Sequence, residues 1–266
     1  MIIFSLTSSI GLFYPIGYIL QPIFRPIFHL DYLSSTIFLS SFFSGYPNNI
    51  KMIKENYQNK KLSLIQVNHL LKIASCASPS FVILVLGQKN YNSINLGIII
   101  YISHCLPNLI IALLFKPKIK PEYTSWNQIK YKMNKQRINT NLLQLLTKTF
   151  SSCLYVFVIM FGYMLVFNIL ILMLKTIVPN PILISLIHST FEISQGISLL
   201  KLFPTNLALI LSACFLSFSS LSIIFQSNSL LEEIDYNFIN YLSFRVIQAI
   251  LSFLISWIII SLYKIF

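Results

Sequence analysis

Charged side chains are scarce in this chain: Asp, Glu, Lys and Arg together make up 10% of its 266 residues. Hydrophobic residues make up 56%, and the mean hydropathy is +0.74. A soluble single domain of this length needs many more charged residues to cover its surface. The composition therefore excludes a soluble globular domain and predicts an integral membrane protein.

The sequence also has little that indicates catalysis. It lacks a nucleophile elbow, a glycine-rich phosphate loop and a His-Glu zinc motif. The cysteines lack CxxC spacing and lie in apolar segments, so we interpret them as small hydrophobic residues. His104 and His188 lie in apolar surroundings without Cys or acid partners, which favours packing or hydrogen bonding over a metal site. We therefore predict a protein that is not an enzyme and that holds no cofactor and no metal.

Long apolar runs are what the chain has in abundance. Four of them can cross a hydrocarbon core of about 30 Å: 2–20, 94–115, 150–178 and 243–263. Two more, 62–88 and 205–227, are long enough but are interrupted by polar residues. The segments 30–50 and 180–203 are shorter, and we predict that they form re-entrant hairpins. The first basic residue is Arg25, so a cleavable signal is not evident and 2–20 is expected to remain as a span.

The polar interruptions come in matched pairs. In the first half a turn at 44–49 is followed by a break at 75–79, and in the second half 192–196 is followed by 218–222. A bilayer offers no water to backbone groups, so a broken helix persists only where protein or a wet cavity satisfies them. Corresponding interrupted segments in two halves of a membrane protein indicate the substrate site of a transporter.

The net charge of +12 predicts orientation rather than nucleic-acid binding. With the N-terminus outside and each hairpin returning to its own side, 14 of the 19 Lys and Arg residues fall on the inner side, Arg245 among them. Cytoplasmic enrichment of this kind orients membrane proteins, and it also permits contact with anionic lipid. We therefore predict membrane lipid as a partner and no nucleic acid.

This orientation makes the two hairpins enter from opposite sides. We predict an all-α integral membrane protein, built as an inverted repeat of re-entrant hairpin, broken helix and full span, with one preceding and one linking span. The predicted parts are an N-terminal span at 1–29, a first half at 30–115, a basic cytoplasmic linker at 116–149, a linking span at 150–178 and a second half at 179–266.

The first break has clear local signals. Ser63 followed by Gln66 is a capping box, which predicts a helix that begins near residue 64. Pro79 ends that helix, because proline lacks a backbone donor and disfavours helical geometry at Ser78. The freed carbonyls, with the hydroxyls of Ser75 and Ser78, could hold a cation or a substrate hydroxyl. The alternative is that small residues permit close helix packing and that the proline only kinks the helix.

Glu192 is the one acid among seven that falls inside a predicted apolar segment. A charged side chain at the bilayer centre costs about 2.5–3.5 kcal/mol on insertion scales, so it is usually retained for function. We predict a role for Glu192 in binding substrate or a coupling ion. Two alternatives are an interfacial position and a neutral, hydrogen-bonded carboxyl in a packed bundle.

Several of these residues carry a family resemblance. Ser44-Gly45-Tyr46-Pro47, the later Ser78-Pro79 break and the segment FEISQGISLL at 191–200 resemble the sporulation integral membrane protein YlbJ family. More distantly, Thr190-Phe191-Glu192 and 218–222 are similar to the Gate or nucleoside-recognition domain of concentrative nucleoside transporters. The resemblance covers roughly residues 10–262.

The resemblance implies secondary transport of a dipicolinate-like anion or a nucleoside-like metabolite across a bacterial cell membrane, with the mother-cell or forespore membrane as the candidates. Na⁺ or H⁺ would be the coupling ion, and a homo-oligomer is possible by analogy. The alternative is a sporulation assembly or scaffold protein that does not transport. The predicted substrate-binding residues are Tyr46, Asn48, Asn49, Ser75, Ser78, Thr190, Glu192, Gln195, Ser219 and Ser220.

Overall fold

The computed structural model describes residues 2–138 and 142–263, and within these ranges every regular element is a helix. The α-helices are α1 (Ile2–Ser9), α2 (Phe13–Phe28), α3 (Tyr32–Ser44), α4 (Asn48–Gln58), α5 (Leu64–Ile73), α6 (Ile94–Leu114), α7 (Trp126–Ile138), α8 (Leu142–Ile177), α9 (Pro181–Phe191), α10 (Ile193–Leu199), α11 (Thr205–Phe218), α12 (Ser220–Leu230) and α13 (Phe238–Tyr263). A π-helix, π1, covers Ser80–Asn90, and a short 3-10 helix covers Leu200–Leu202.

Four helical segments among the described residues are long and apolar enough to cross a membrane. They are Ile94–Leu114, Leu143–Ile177, Thr205–Leu230 and Phe238–Tyr263. The all-α class and the multi-pass membrane location predicted from composition are confirmed. α8 exposes large apolar side chains such as Leu154, Phe161 and Leu172, as a lipid-facing helix does.

The predicted first span, 2–20, is not one continuous helix. Gly11 has a φ of +83°, a left-handed conformation that ends α1, and α2 begins at Phe13 and continues to Phe28. α2 packs closely against α3 at Gly17, where an added Cβ would lie 2.2 Å from the carbonyl oxygen of Tyr32. The N-terminal region is therefore two helices, of which the second is fitted against the first hairpin.

The first hairpin consists of α3 and α4. Asp31 caps α3 by accepting a hydrogen bond from the amide of Ser34 at 2.7 Å. Gly45 follows α3 with a φ of +68°, and a Cβ there would lie 2.7 Å from the amide nitrogen of Ser78. The hairpin tip is thus seated directly on the first break, and the second arm extends beyond the predicted end at residue 50 to Gln58.

The first broken helix begins as predicted. The Ser63–Gln66 capping box is present in both directions, and α5 begins at Leu64. Residues 74–78 are not helical, and helical structure resumes at Pro79 and continues as π1. π1 packs against α6 through Gly87 and Gly97, where a Cβ on Gly87 would lie 2.5 Å from the Cα of Gly97. The π-helical form of this second arm was not predicted.

The second half contains two pairs of short helices followed by a long one, and its relation to the first half as a repeat stays a prediction. α9 and α10 meet at Glu192, and a Cβ on Gly196 would lie 2.4 Å from the Cα of Ser189, so the two helices pack closely. α11 and α12 are separated by Ser219, which has a φ of +74°, and α12 begins at Ser220, which has a φ of +49°. α13 then packs against α11 and α6. The inverted sense of the two halves stays a prediction, as do the boundaries of the parts; the linker range 116–149 contains α7 and the first turns of α8.

Gly17→Ala is expected to lower the thermal stability of the protein, because its Cβ meets the backbone of α3. Overpacking of this kind costs about 1–3 kcal/mol. Gly162→Ala in α8 is the matched control, since nothing lies within 4 Å of its added Cβ. The stability of both variants is measured as the midpoint temperature of thermal unfolding in detergent. Equal midpoints would contradict the close α2–α3 packing.

Candidate functional site

The tip of the first hairpin contacts the second break. Ser219 Oγ donates a hydrogen bond of 2.6 Å to the Tyr46 hydroxyl, across 173 residues of sequence. Both Ser219 and Ser220 are fully buried. The structure therefore brings together predicted residues from the first and second halves of the chain.

The unwound backbone after α5 is satisfied by side chains from two other helices, α4 and α6. The Asn49 side chain donates to the carbonyl of Ala74, and Asn108 donates to the carbonyl of Ser75 at 3.1 Å. His104 Nε2 accepts from the amide of Ala77 at 2.8 Å, which confirms its interpretation as a hydrogen-bonding histidine. The freed carbonyls of residues 74 and 75 therefore already accept hydrogen bonds from protein donors, and a role of the carbonyls in holding a cation or a substrate hydroxyl stays a prediction.

Arg245 of α13 holds the end of α5. Its Nη2 donates to the carbonyls of Leu71 and Lys72, both at 3.0 Å, while Gln248 Nε2 donates to the same Lys72 carbonyl at 2.8 Å. The Arg245 side chain has no solvent exposure, and its guanidinium lies 5.2 Å from the centre of the Tyr241 ring. None of the ion pairs formed by the described residues includes Arg245.

Two nitrogens of this buried guanidinium, Nε and Nη1, have no hydrogen-bond partner. Sequence reasoning missed Arg245 because it counted the residue among the inner-side charges. The signal that singled out Glu192, a charge inside an apolar run, was also present here: Arg245 is the only charged residue in the run 243–263.

Buried polar atoms that lack hydrogen-bond partners among the described residues lie on α4, on the first break, at the start of α12 and on α13. Four of the predicted residues contribute one each, and Gln248 adds its Oε1. The four are Asn48 (Oδ1), Asn49 (Oδ1), Ser75 (Oγ) and Ser220 (Oγ). Buried polar groups are usually hydrogen-bonded, and each exception calls for an explanation such as a ligand site. The crossing of the first tip, the first break and α13 is therefore the candidate binding site.

Glu192 lies in a different local environment. It caps α10, since its carboxylate accepts from the amides of Ser194 and Gln195, each at 3.1 Å, and from the Ser194 hydroxyl at 2.8 Å. It is 3% exposed, so its carboxylate is buried within the protein. Thr190 donates to its own helix at Leu186, and Gln195 is exposed.

The ten predicted residues thus fall into two groups. The hydrogen bonds of Thr190, Glu192 and Gln195 stay within the second hairpin, whereas Tyr46 and Ser219 join the first tip to the second break. Ser78 donates or accepts a hydrogen bond with Ser80 and caps π1. The second hairpin reaches the rest of the protein by packing against α11 and α12.

Comparison with known proteins gives one similarity across most of the chain. The sporulation integral membrane protein YlbJ of Bacillus subtilis (strain 168) is 20% identical over 284 aligned residues, which cover 94% of this chain and 69% of that protein. No family model and no solved structure matches the chain. The similarity confirms the resemblance predicted from the tip and break segments.

Asn108→Ala is expected to destabilise the protein, because it removes the donor to the Ser75 carbonyl and the acceptor of the Gln248 amide. Leaving buried backbone polar groups unsatisfied costs about 1–3 kcal/mol. Asn168→Ala is the control, since that side chain bonds only to Met164 of its own helix. Thermal unfolding measures the decrease in stability of each variant. Equal decreases in both variants would contradict this role for Asn108.

Proposed function

We propose that this chain, a distant relative of the YlbJ sporulation membrane proteins, is a permease for a small organic anion. The observation that carries this proposal is Arg245, a fully buried guanidinium with two unpartnered nitrogens beside the first break. A dipicolinate-like dicarboxylate is the solute that we favour, and a nucleoside-like metabolite is the other substrate class to be tested.

The charge of Arg245 supports an anionic solute. A charged group inside a membrane protein is costly and normally pairs with an opposite charge or lines a substrate path. The guanidinium has five donor positions in a planar fork, which suits the two oxygens of a carboxylate. Nη2 is already engaged by backbone carbonyls, so the fork offers the solute Nε and Nη1, which point to different sides of the guanidinium and would bind separate oxygen atoms of a dicarboxylate.

The surrounding residues suit a polar, partly aromatic solute. Tyr46 belongs to the hairpin tip that is seated on the first break through Gly45 and Ser78, and Arg245 binds the end of α5 just before that break. Tyr46 would stack on a planar ring, while Asn48, Asn49 and the hydroxyls of Ser75 and Ser220 would orient its polar groups. Carboxamide and hydroxyl groups can donate to a carboxylate in the same way that they bond to water.

The succession of elements supports alternating access. Hairpin, broken helix and span occur as α3/α4, α5/π1 and α6, and again as α9/α10, α11/α12 and α13. Inverted repeats of this kind place the substrate between two related gates. Opening of the first gate would separate Tyr46 from Ser219, and the second hairpin, with Glu192, would form the opposite gate and take Na⁺ or H⁺.

Uptake into proteoliposomes tests the anion site. We expect flux of pyridine-2,6-dicarboxylate by the natural protein, and a loss of tenfold or more in Arg245→Gln, about 1.4 kcal/mol in transition-state binding. Arg245→Lys should recover only part of the flux, because an ammonium cannot form the fork. Lys201→Gln removes an exposed charge outside the site and is the control.

The outcomes of this assay separate the candidate functions. If the protein transports nucleosides only, and if Arg245→Gln leaves that flux unchanged, the permease function is retained and the anionic substrate is rejected. An absence of flux for both solute classes, from protein that remains folded and monodisperse, would reject transport and favour the assembly or scaffold role.

Glu192→Gln tests coupling. We expect the variant to lose uptake driven by a Na⁺ or proton gradient, because a neutral amide neither carries a proton nor attracts a cation. Solute exchange at equal ion concentrations should persist. Glu122→Gln, which changes an exposed acid in the linker, is the control. Gradient-driven uptake equal to that of the natural protein would contradict a coupling role for Glu192.

A further inference from the structure

A large cavity lies apart from the candidate site. It has a volume of about 1110 Å³ and is bounded by α1, α2, α4, α7 and α8, and none of the ten predicted substrate residues lines it. We call it the basic pocket, because seven of its lining residues are lysines: Lys51, Lys54, Lys60, Lys61, Lys132, Lys135 and Lys148. Only one lining residue, Glu55, is acidic.

The acids near the basic pocket balance few of these charges. Lys51 lies 3.6 Å from Glu55, and Lys54 lies 3.6 Å from Glu233. Lys61 is also engaged, with its ammonium 5.4 Å from the centre of the Tyr14 ring. Seven ammonium groups around one concave space therefore retain a large excess of positive charge, which attracts anions and raises their local concentration.

Several ammonium groups are held in position by the walls. Lys51 is 4% exposed, and its Nζ donates to Ser5 Oγ at 2.7 Å. Lys132 lies 4.9 Å from the centre of the Tyr32 ring and donates to the Tyr32 hydroxyl at 3.2 Å. Cation–π contacts and hydrogen bonds of this kind reduce the freedom that a flexible lysine would lose on binding a ligand.

The positive-inside rule alone does not account for this arrangement. That rule predicts an excess of lysine on the cytoplasmic side, with no reason for the charges to share a cavity. Here lysines from α4, α7 and α8 converge on one space although like charges repel. A bound polyanion offsets such repulsion.

We propose that the basic pocket binds an anion that carries two or more phosphate groups. Lysine binds phosphate as a point charge, and lysines supply the positive charge of the described part of the lining, so charge density rather than a fixed fork geometry would select the ligand. Side chains such as Gln58, Gln144 and Thr149 supply further polar contacts. The volume accommodates a diphosphate headgroup or a soluble diphosphate.

The same chemistry can come from an anionic lipid or from a soluble molecule, and two binding measurements separate these sources. Isothermal titration calorimetry measures the affinity of the full chain in detergent for pyrophosphate. Its affinity for orthophosphate, which carries a single phosphate, is the comparison. Native mass spectrometry compares the amount of cardiolipin that stays bound to the protein with the amount of phosphatidylcholine that stays bound.

The test variant changes Lys60, Lys135 and Lys148 to Gln together. These three side chains are exposed and make no contact that supports the fold among the described residues. The matched control changes Lys116, Lys118 and Lys120 to Gln, which removes the same charge from exposed positions outside the pocket. We expect the test variant to bind at least about tenfold more weakly and the control to bind as the natural protein does.

Each outcome decides the proposal. Preferential binding of pyrophosphate, of cardiolipin or of both, weakened in the test variant alone and reduced by salt, supports it and identifies the source. Equal weakening in both triple variants would show a general charge effect and overturn it. Binding of orthophosphate or phosphatidylcholine as tightly as the diphosphates would also overturn it. None of these measurements depends on transport.

Discussion

The structure depends on one constraint, which is that a helix interrupted inside a membrane protein leaves carbonyl and amide groups that lipid cannot satisfy. The chain meets this constraint at the end of α5 with side chains rather than with backbone. Asn49, Asn108 and Arg245 approach from α4, α6 and α13 and supply the donors for the exposed carbonyls. The interruption thereby fixes the relative positions of three helices that are distant in sequence.

The protein has two positively charged regions of different character. Arg245 is a single charge held without solvent and without an acid partner, where a low dielectric makes any interaction with an anion strong. The basic pocket gathers many lysines in an open, wet space, where each charge contributes little and the sum attracts broadly. The first region suits selection of one solute, and the second suits retention of a dense polyanion.

Local signals in the sequence predicted local features well. The Ser63 capping box, the break before Pro79 and the interruption at Ser219 all follow from the chemistry of a few neighbouring residues. The environment of Glu192 could be stated only as alternatives, because a helix cap and a coupling site use the same residue type. Arg245 could not be placed, since hydropathy does not reveal which face of α13 meets α5. The convergence of lysines was equally inaccessible, because it arises from three helices packed together.

The bond between α13 and the end of α5 joins residues 173 positions apart. During synthesis at about 5–20 residues per second, the first break would therefore emerge roughly 10–30 seconds before the arginine that completes it. For that interval the carbonyls of Leu71 and Lys72 need another donor, such as water in the insertion machinery. The nascent first half is thus incomplete until α13 has been synthesised and packs against the end of α5.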